Sequence, residues 1–199
     1  GFKAAVGGSI SKAAEFEEKM SNIKALTGAS SETMKQFNDA AIKAGADTAF
    51  SASEAADAIA ELSKAGVDTA SILNGGLTGA LNLATAGELS LTEAAEVAST
   101  ALNAFKSDNL SVTDAANQLA GAANASATDV HELKYGLSAV AAVASGVGMS
   151  FNDTTNALAV FAQNGLKGSD AGTSLKTMLL NLSPQTKAAT VQMQELGII

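Results

Sequence analysis

The chain has 199 residues, of which 47% are hydrophobic and only 4% aromatic, with a formal net charge of −8 and no cysteine. It is long enough to bury a sizeable core and too apolar for a disordered acidic tail, and it excludes disulfide and thiolate-metal chemistry. All twelve basic residues are lysine, and segments 1–64, 65–133 and 134–199 carry −2, −7 and +1, so the arginine forks and basic face that nucleic-acid recognition needs are both missing.

The first element in chain order is an amphipathic helix near 9–27. Phe2, Val6, Ser9, Ala13, Phe16, Met20, Ile23 and Thr27 alternate by four and three. That is an a/d stripe, with Ala13, Phe16, Met20 and Ile23 as its centre. It suits either an ordinary helix packed on its own domain or a coiled coil arriving from upstream. A helix follows over 31–44 and is stopped by Lys43-Ala44-Gly45, a cation and then a glycine where a C-terminal cap wants them. Beyond it, one phrase recurs: Ser, any residue, Ser/Thr/Asn, then Asp/Glu. It stands at Ser51–Glu54, Ser90–Glu93, Ser111–Asp114, Ser126–Asp129 and Ser150–Asp153. This is the pattern of a capping box, in which the hydroxyl satisfies an orphan amide and the acid reaches back to the cap.

These signals predict helices over 51–65, 69–86, 90–106, 111–124, 126–145, 150–164, 168–182 and 184–196. Ser183-Pro184 is the expected start of the last one. The glycine-rich stretch Asn74 to Gly79 predicts a kink or a close helix crossing. The cap phrases lie 39, 21, 15 and 24 residues apart, which gives no fixed period and no expectation of a repeat protein. No stretch alternates with period two, so the fold class is all-α: about ten mostly short helices in an irregular helical domain.

Side chains for catalysis are scarce. His131 is the single histidine, so a triad or a histidine-based metal site would have to use it, and its place in the first turn of a helix suits a half-exposed structural role. Gly168-Ser169-Asp170-Ala171-Gly172 only superficially resembles a nucleophile elbow. Asn74 to Gly79 lacks the lysine of a phosphate loop. No catalytic, cofactor-binding or metal-ligating residue is expected, and no enzyme. Leu137 to Met149 is apolar or small throughout but too short to span a bilayer. Its Ser138, Ala142 and Gly146 form a small-residue seam. Gly168, Ala171, Gly172 and Leu175 form a second one, and the two are expected to pack together or to serve a partner.

Three phrases together resemble the core of phage tail tape measure proteins, the minor tail proteins of long-tailed phages and prophages. The first runs from Thr48 through Ala56 to Ala60-Glu61-Leu62-Ser63-Lys64-Ala65-Gly66. The second runs from Ala142 to Gly148 and on through Ala157-Leu158-Ala159 to Gly165. The third is Gly168-Ser169-Asp170-Ala171-Gly172-Thr173-Ser174-Leu175-Lys176 with Leu179-Leu180-Asn181-Leu182. The similarity covers about residues 20–183 and implies a structural virion protein held in the tail-tube lumen. Such a protein acts as scaffold and ruler for tube assembly and leaves at genome ejection. It also implies tail-tube proteins, tail-tip proteins and tail assembly chaperones as partners, host cytoplasm as the place of assembly, and membrane contact only at infection. Self-association through the first helix is a further expectation. The expected organisation is an N-terminal coiled-coil-like helix over 1–28, a compact helical core over 29–183, and the start of another helix over 184–199. The chain begins at Gly1 rather than Met and stops at Ile199, as expected for a piece of a longer polypeptide. Two rival readings are a membrane-active, pore-forming helical module, which would leak liposomes, and a secreted helical interaction domain, which would carry an upstream signal peptide.

Overall fold

The computed structural model describes the backbone of residues 2–182, 184 and 186–197, and side-chain surroundings from residue 11 onward. Among the described residues there is no strand. The elements are α1 (Phe2–Thr27), α2 (Ser31–Asp47), α3 (Ala52–Lys64), α4 (Thr69–Ser71), a π-helical stretch Ile72–Gly76, α5 (Leu77–Gly87), α6 (Leu91–Ala104), a 3-10 turn Lys106–Asp108, α7 (Val112–Asn124), α8 (Val130–Gly146), α9 (Phe151–Gln163), α10 (Gly168–Leu182) and α11 (Lys187–Glu195). The fold is all-α, and with α4 to α5 taken as one interrupted element it has ten described helices.

The helix starts follow the cap chemistry. Ser51 and Ser90 form complete capping boxes with Glu54 and Glu93. Asp114, although one methylene shorter, also closes its box: its carboxylate accepts the Ser111 backbone N–H at 3.0 Å, while the Asp114 N–H donates to the Ser111 hydroxyl at 3.1 Å. Two starts differ from the sequence reading. The Ser126 hydroxyl donates back to the Ala122 carbonyl in the preceding turn, and Asp129 caps α8 by accepting from the Glu132 N–H. Pro184 lies outside a helix, and Thr186 caps α11; Ser183 falls outside the described residues. In each case a second side-chain acceptor lay within a few residues, and cap phrases alone do not rank such rivals.

The kink expected at Asn74 to Gly79 is present. Asn74 and Gly75 leave helical geometry, with Gly75 at φ 126, a conformation open to glycine and costly for other residues. The same glycines give a close crossing: the Thr113 hydroxyl donates to the Gly75 carbonyl at 3.2 Å, and a Cβ on Gly79 would lie 3.0 Å from Thr113 Cα.

The described residues divide into two compact units, 1–121 and 122–199. In the first, α3 is the hub. Ala55, Ala56, Ala58, Ile59 and Leu62 are buried all round it because α1, α2 and α6 pack on it together. In the second, α8 packs on both α9 and α10, with the α8–α10 pairing the most extensive. Alanine dominates both cores, so helices approach closely while each side chain buries little area.

A period hidden from the cap spacings becomes visible once caps are matched to helices. Ser51 and Ser111 are 60 residues apart, and so are Ser90 and Ser150; all four begin helices. Each pair brackets a helix capped by an aspartate, Asp68 or Asp129. The Asn103 amide donates to the Ala65 carbonyl at 3.1 Å, and Gln163, 60 positions on, donates to the Ala125 carbonyl at 3.0 Å. Buried positions match as well: Leu91, Ala94, Ala95 and Ala98 in α6 correspond to Phe151, Thr154, Thr155 and Leu158 in α9. The chain from Ser51 onward is thus a tandem duplication of a three-helix module. The extra phrase at Ser126 had masked the 60-residue period.

Candidate functional site

The glycine-rich start of α10 lies against α8. Gly168, Ala171, Gly172 and Leu175 are all buried. A Cβ on Gly172 would overlap the Gly136 carbonyl oxygen and come within 2.9 Å of Ala139 Cβ. A Cβ on Gly136 would press on both Leu158 methyls at 3.1 Å and on the Gly168 carbonyl oxygen at 3.2 Å. Gly168 has φ +56, and a Cβ there would meet the Glu132 carboxylate. Two backbones therefore meet where Gly136 and Gly172 face each other, and no larger residue fits between them.

The seam partner differs from the sequence expectation. It lies on α8 as expected, but on the row of Gly136 and Ala139. Ser138 and Ala142 are exposed, the Ser138 hydroxyl donates to the Lys134 carbonyl, and Gly146 faces open space. The two rows start two residues apart, and only contact with α10 distinguishes them.

The α1 stripe is graded along its length. Ile23 and Met20 are buried where α1 packs on α2 and α3, Phe16 is half-buried, and Ala13 is exposed. The side chains of Phe2, Val6 and Ser9 lie outside the described ones. Lys19 fixes this packing by bridging Glu15 at 3.0 Å and Asp57 on α3 at 2.7 Å. Burial pulls the Lys19 pKa down, but hydrogen bonds and charge from Asp57 and Glu15 outweigh it and raise the pKa overall. Nothing in the sequence marked Lys19, because its partner lies 38 residues away.

Chemistry for turnover has little to work with. His131 is exposed and stacks edge-on against Tyr135, with ring centroids 4.9 Å apart. No group of three or more metal-ligating side chains gathers among the described residues, and none of their helices is long and apolar enough to cross a membrane. A cavity of about 400 Å³ opens between α2 and the α4–α5 element, lined by Ala44, Ile72, Leu77 and Leu81, with the Lys43–Asp47 ion pair at its rim.

Comparison with known proteins bears on the whole chain. Residues 38–199 match the family described as Phage-related minor tail protein. The chain is 34% identical over 198 residues to the "Tape measure protein" of Pneumococcus phage Dp-1, covering 100% of this chain and 17% of that relative's length. No solved structure matches it.

Proposed function

The chain belongs to the phage-related minor tail protein family, a family of structural virion components, and from that premise we propose that it serves as a folded segment of a tail tape measure. In this reading it sits in the tail-tube lumen as scaffold and ruler while the tube polymerises, and it leaves at genome ejection. The observation that carries it is the family match over residues 38–199, joined by 34% identity to a tape measure protein across the chain. An acidic, arginine-free composition supports it physically, since such a surface does not hold DNA that must later pass the same channel. Tail-tube and tail-tip subunits and assembly chaperones are its proposed partners, with self-association through the exposed end of the α1 stripe around Ala13. The segment acts by shape and packing, with no catalytic role.

Tail length tests the ruler reading. Duplicating residues 51–170 within the protein of an infecting phage adds 120 residues. As one continuous helix they would lengthen the tail by roughly 180 Å, at 1.5 Å per residue. As two folded modules, each adding about one helix length, they would lengthen it by roughly 50 Å. Measuring tails by electron microscopy separates the two, and tails of unchanged length on infectious particles would overturn the ruler role.

A further inference from the structure

The duplicated module sets a register that continues into α10. The carbonyls of Ser51, Ser111 and Lys167 accept the amides of Ala55, Ala115 and Ala171 four residues on. Counted from these three residues, position five is Ala56, Ala116 and Gly172, and position eight is Ile59, Leu119 and Leu175. All of these are buried. The next position of the same stripe, eleven, is Leu62, Ala122 and Met178. Leu62 and Ala122 are 0% and 6% exposed, whereas Met178 is 44% exposed, and Leu182 one turn further is 54% exposed. The second helix keeps the register too. Its cap follows 17 residues after Ser51 at Asp68, 18 after Ser111 at Asp129, and 19 after Lys167 at Thr186. The helix that Thr186 starts, α11, has no buried residue, and its Val191 is exposed.

In the first copy α6 packs on α3, the helix that carries Leu62, and its Asn103 amide bonds the Ala65 carbonyl at the end of α3. We infer that α10 is the opening helix of a third copy of the module. Its exposed stripe, Met178 and Leu182, is the docking surface for that copy's closing helix. The occupant is an alanine-rich, serine-capped helix of the α6 type, carried by the same polypeptide, because in both complete copies the three helices follow one another along the chain. Stacked modules of this kind bury their faces only against neighbours, and a module lacking its closing helix leaves an apolar stripe in water.

The test completes the third copy. The sequence of residues 69–105, which carries α4 to α6, is placed after Thr186 in the otherwise unchanged chain. Oxidation of Met178 by peroxide is then followed by mass spectrometry against the unextended protein, with buried Met20 as the protected reference. Closure is expected to slow Met178 oxidation by about tenfold or more, since thioether oxidation follows exposure. Met178→Asp with Leu182→Asp is expected to leave the appended helix exchanging its amides as fast as a free peptide. A strained junction is controlled by adding residues 66–110 as a separate polypeptide to the unextended chain. If neither form protects Met178 while the rest of the chain stays folded, the inference is wrong. It is equally wrong if the unextended chain alone gains protection with rising concentration, which would make a second copy the occupant, or only in the presence of lipid vesicles.

Discussion

At Gly172, helix propensity and packing point in opposite directions. Propensity alone favours alanine in a helix by about 1 kcal/mol. The space for its methyl, however, is already filled by the Gly136 backbone, which cannot rotate away as a side chain can. Gly172→Ala is therefore expected to destabilise the chain by about 1–3 kcal/mol through overpacking, read from denaturant midpoints; a more stable variant would show that the face is open. Ser99 gives the converse. Its hydroxyl is buried in α6 with no hydrogen-bond partner among the described residues. The matching position in α9, 60 residues on, is the buried Ala159. Ser99→Ala should raise stability by about 1 kcal/mol, because it removes an unsatisfied polar group and adds helix propensity. A lower melting temperature for that variant would mean the hydroxyl is satisfied in solution.

For the helices as elements, the caps decide where each one begins. Ser51→Ala and Ser90→Ala should each cost about 1 kcal/mol, the usual penalty for losing an N-cap, while Ser126→Ala should cost much less because Asp129 does the capping. Equal losses at Ser90 and Ser126 in denaturant melts would contradict this assignment of the α8 start. The caps also set an acid dependence. The Ser51 backbone N–H and hydroxyl hold the Glu54 carboxyl below its ordinary value of 4.5. The hydroxyls and then the backbone N–H groups of Ser71 and Ser111 hold Asp68 and Asp114 below 3.8. A carboxyl whose folded pKa is depressed stabilises the fold fully above its unfolded value and loses that contribution as pH falls through the folded one. Midpoints should be flat above about pH 5 and decline below 4.5, with a shallower decline in Ser51→Ala and Ser111→Ala. A decline that is unchanged in both variants would assign the acid sensitivity to other groups.

Over the whole molecule, the acidic middle of the sequence, with Lys106 as its one cation between residues 65 and 133, sets how it meets other polymers. Retention on double-stranded DNA in a mobility-shift assay is expected to be undetectable even at about 50 mM salt, where phosphate contacts are strongest. A salt-sensitive shift would show a basic face that composition does not reveal. The modules add a second property. Each three-helix copy is a similar unit, so tolerance to change should follow module position more than distance along the chain.

Fold class, most helix boundaries and family membership were legible in the sequence, because they rest on local physics: a serine with an acid three residues on, a cation followed by glycine, an ordered series of phrases. The kink at Asn74 and Gly75 was legible for the same reason. Where two local signals competed, as at Ser126 and Asp129 or Pro184 and Thr186, only the fold chose between them. The α8 row that meets Gly172, the Lys19–Asp57 bridge and the 60-residue module were decided by tertiary structure alone. Each depends on residues far apart in the chain, and in an alanine-rich sequence neighbouring rows of a helix differ too little for composition to say which one faces its partner. The duplication stayed hidden because its signature lies in matching buried positions and equivalent hydrogen bonds, Asn103 to Ala65 and Gln163 to Ala125, and those exist only once the helices have packed.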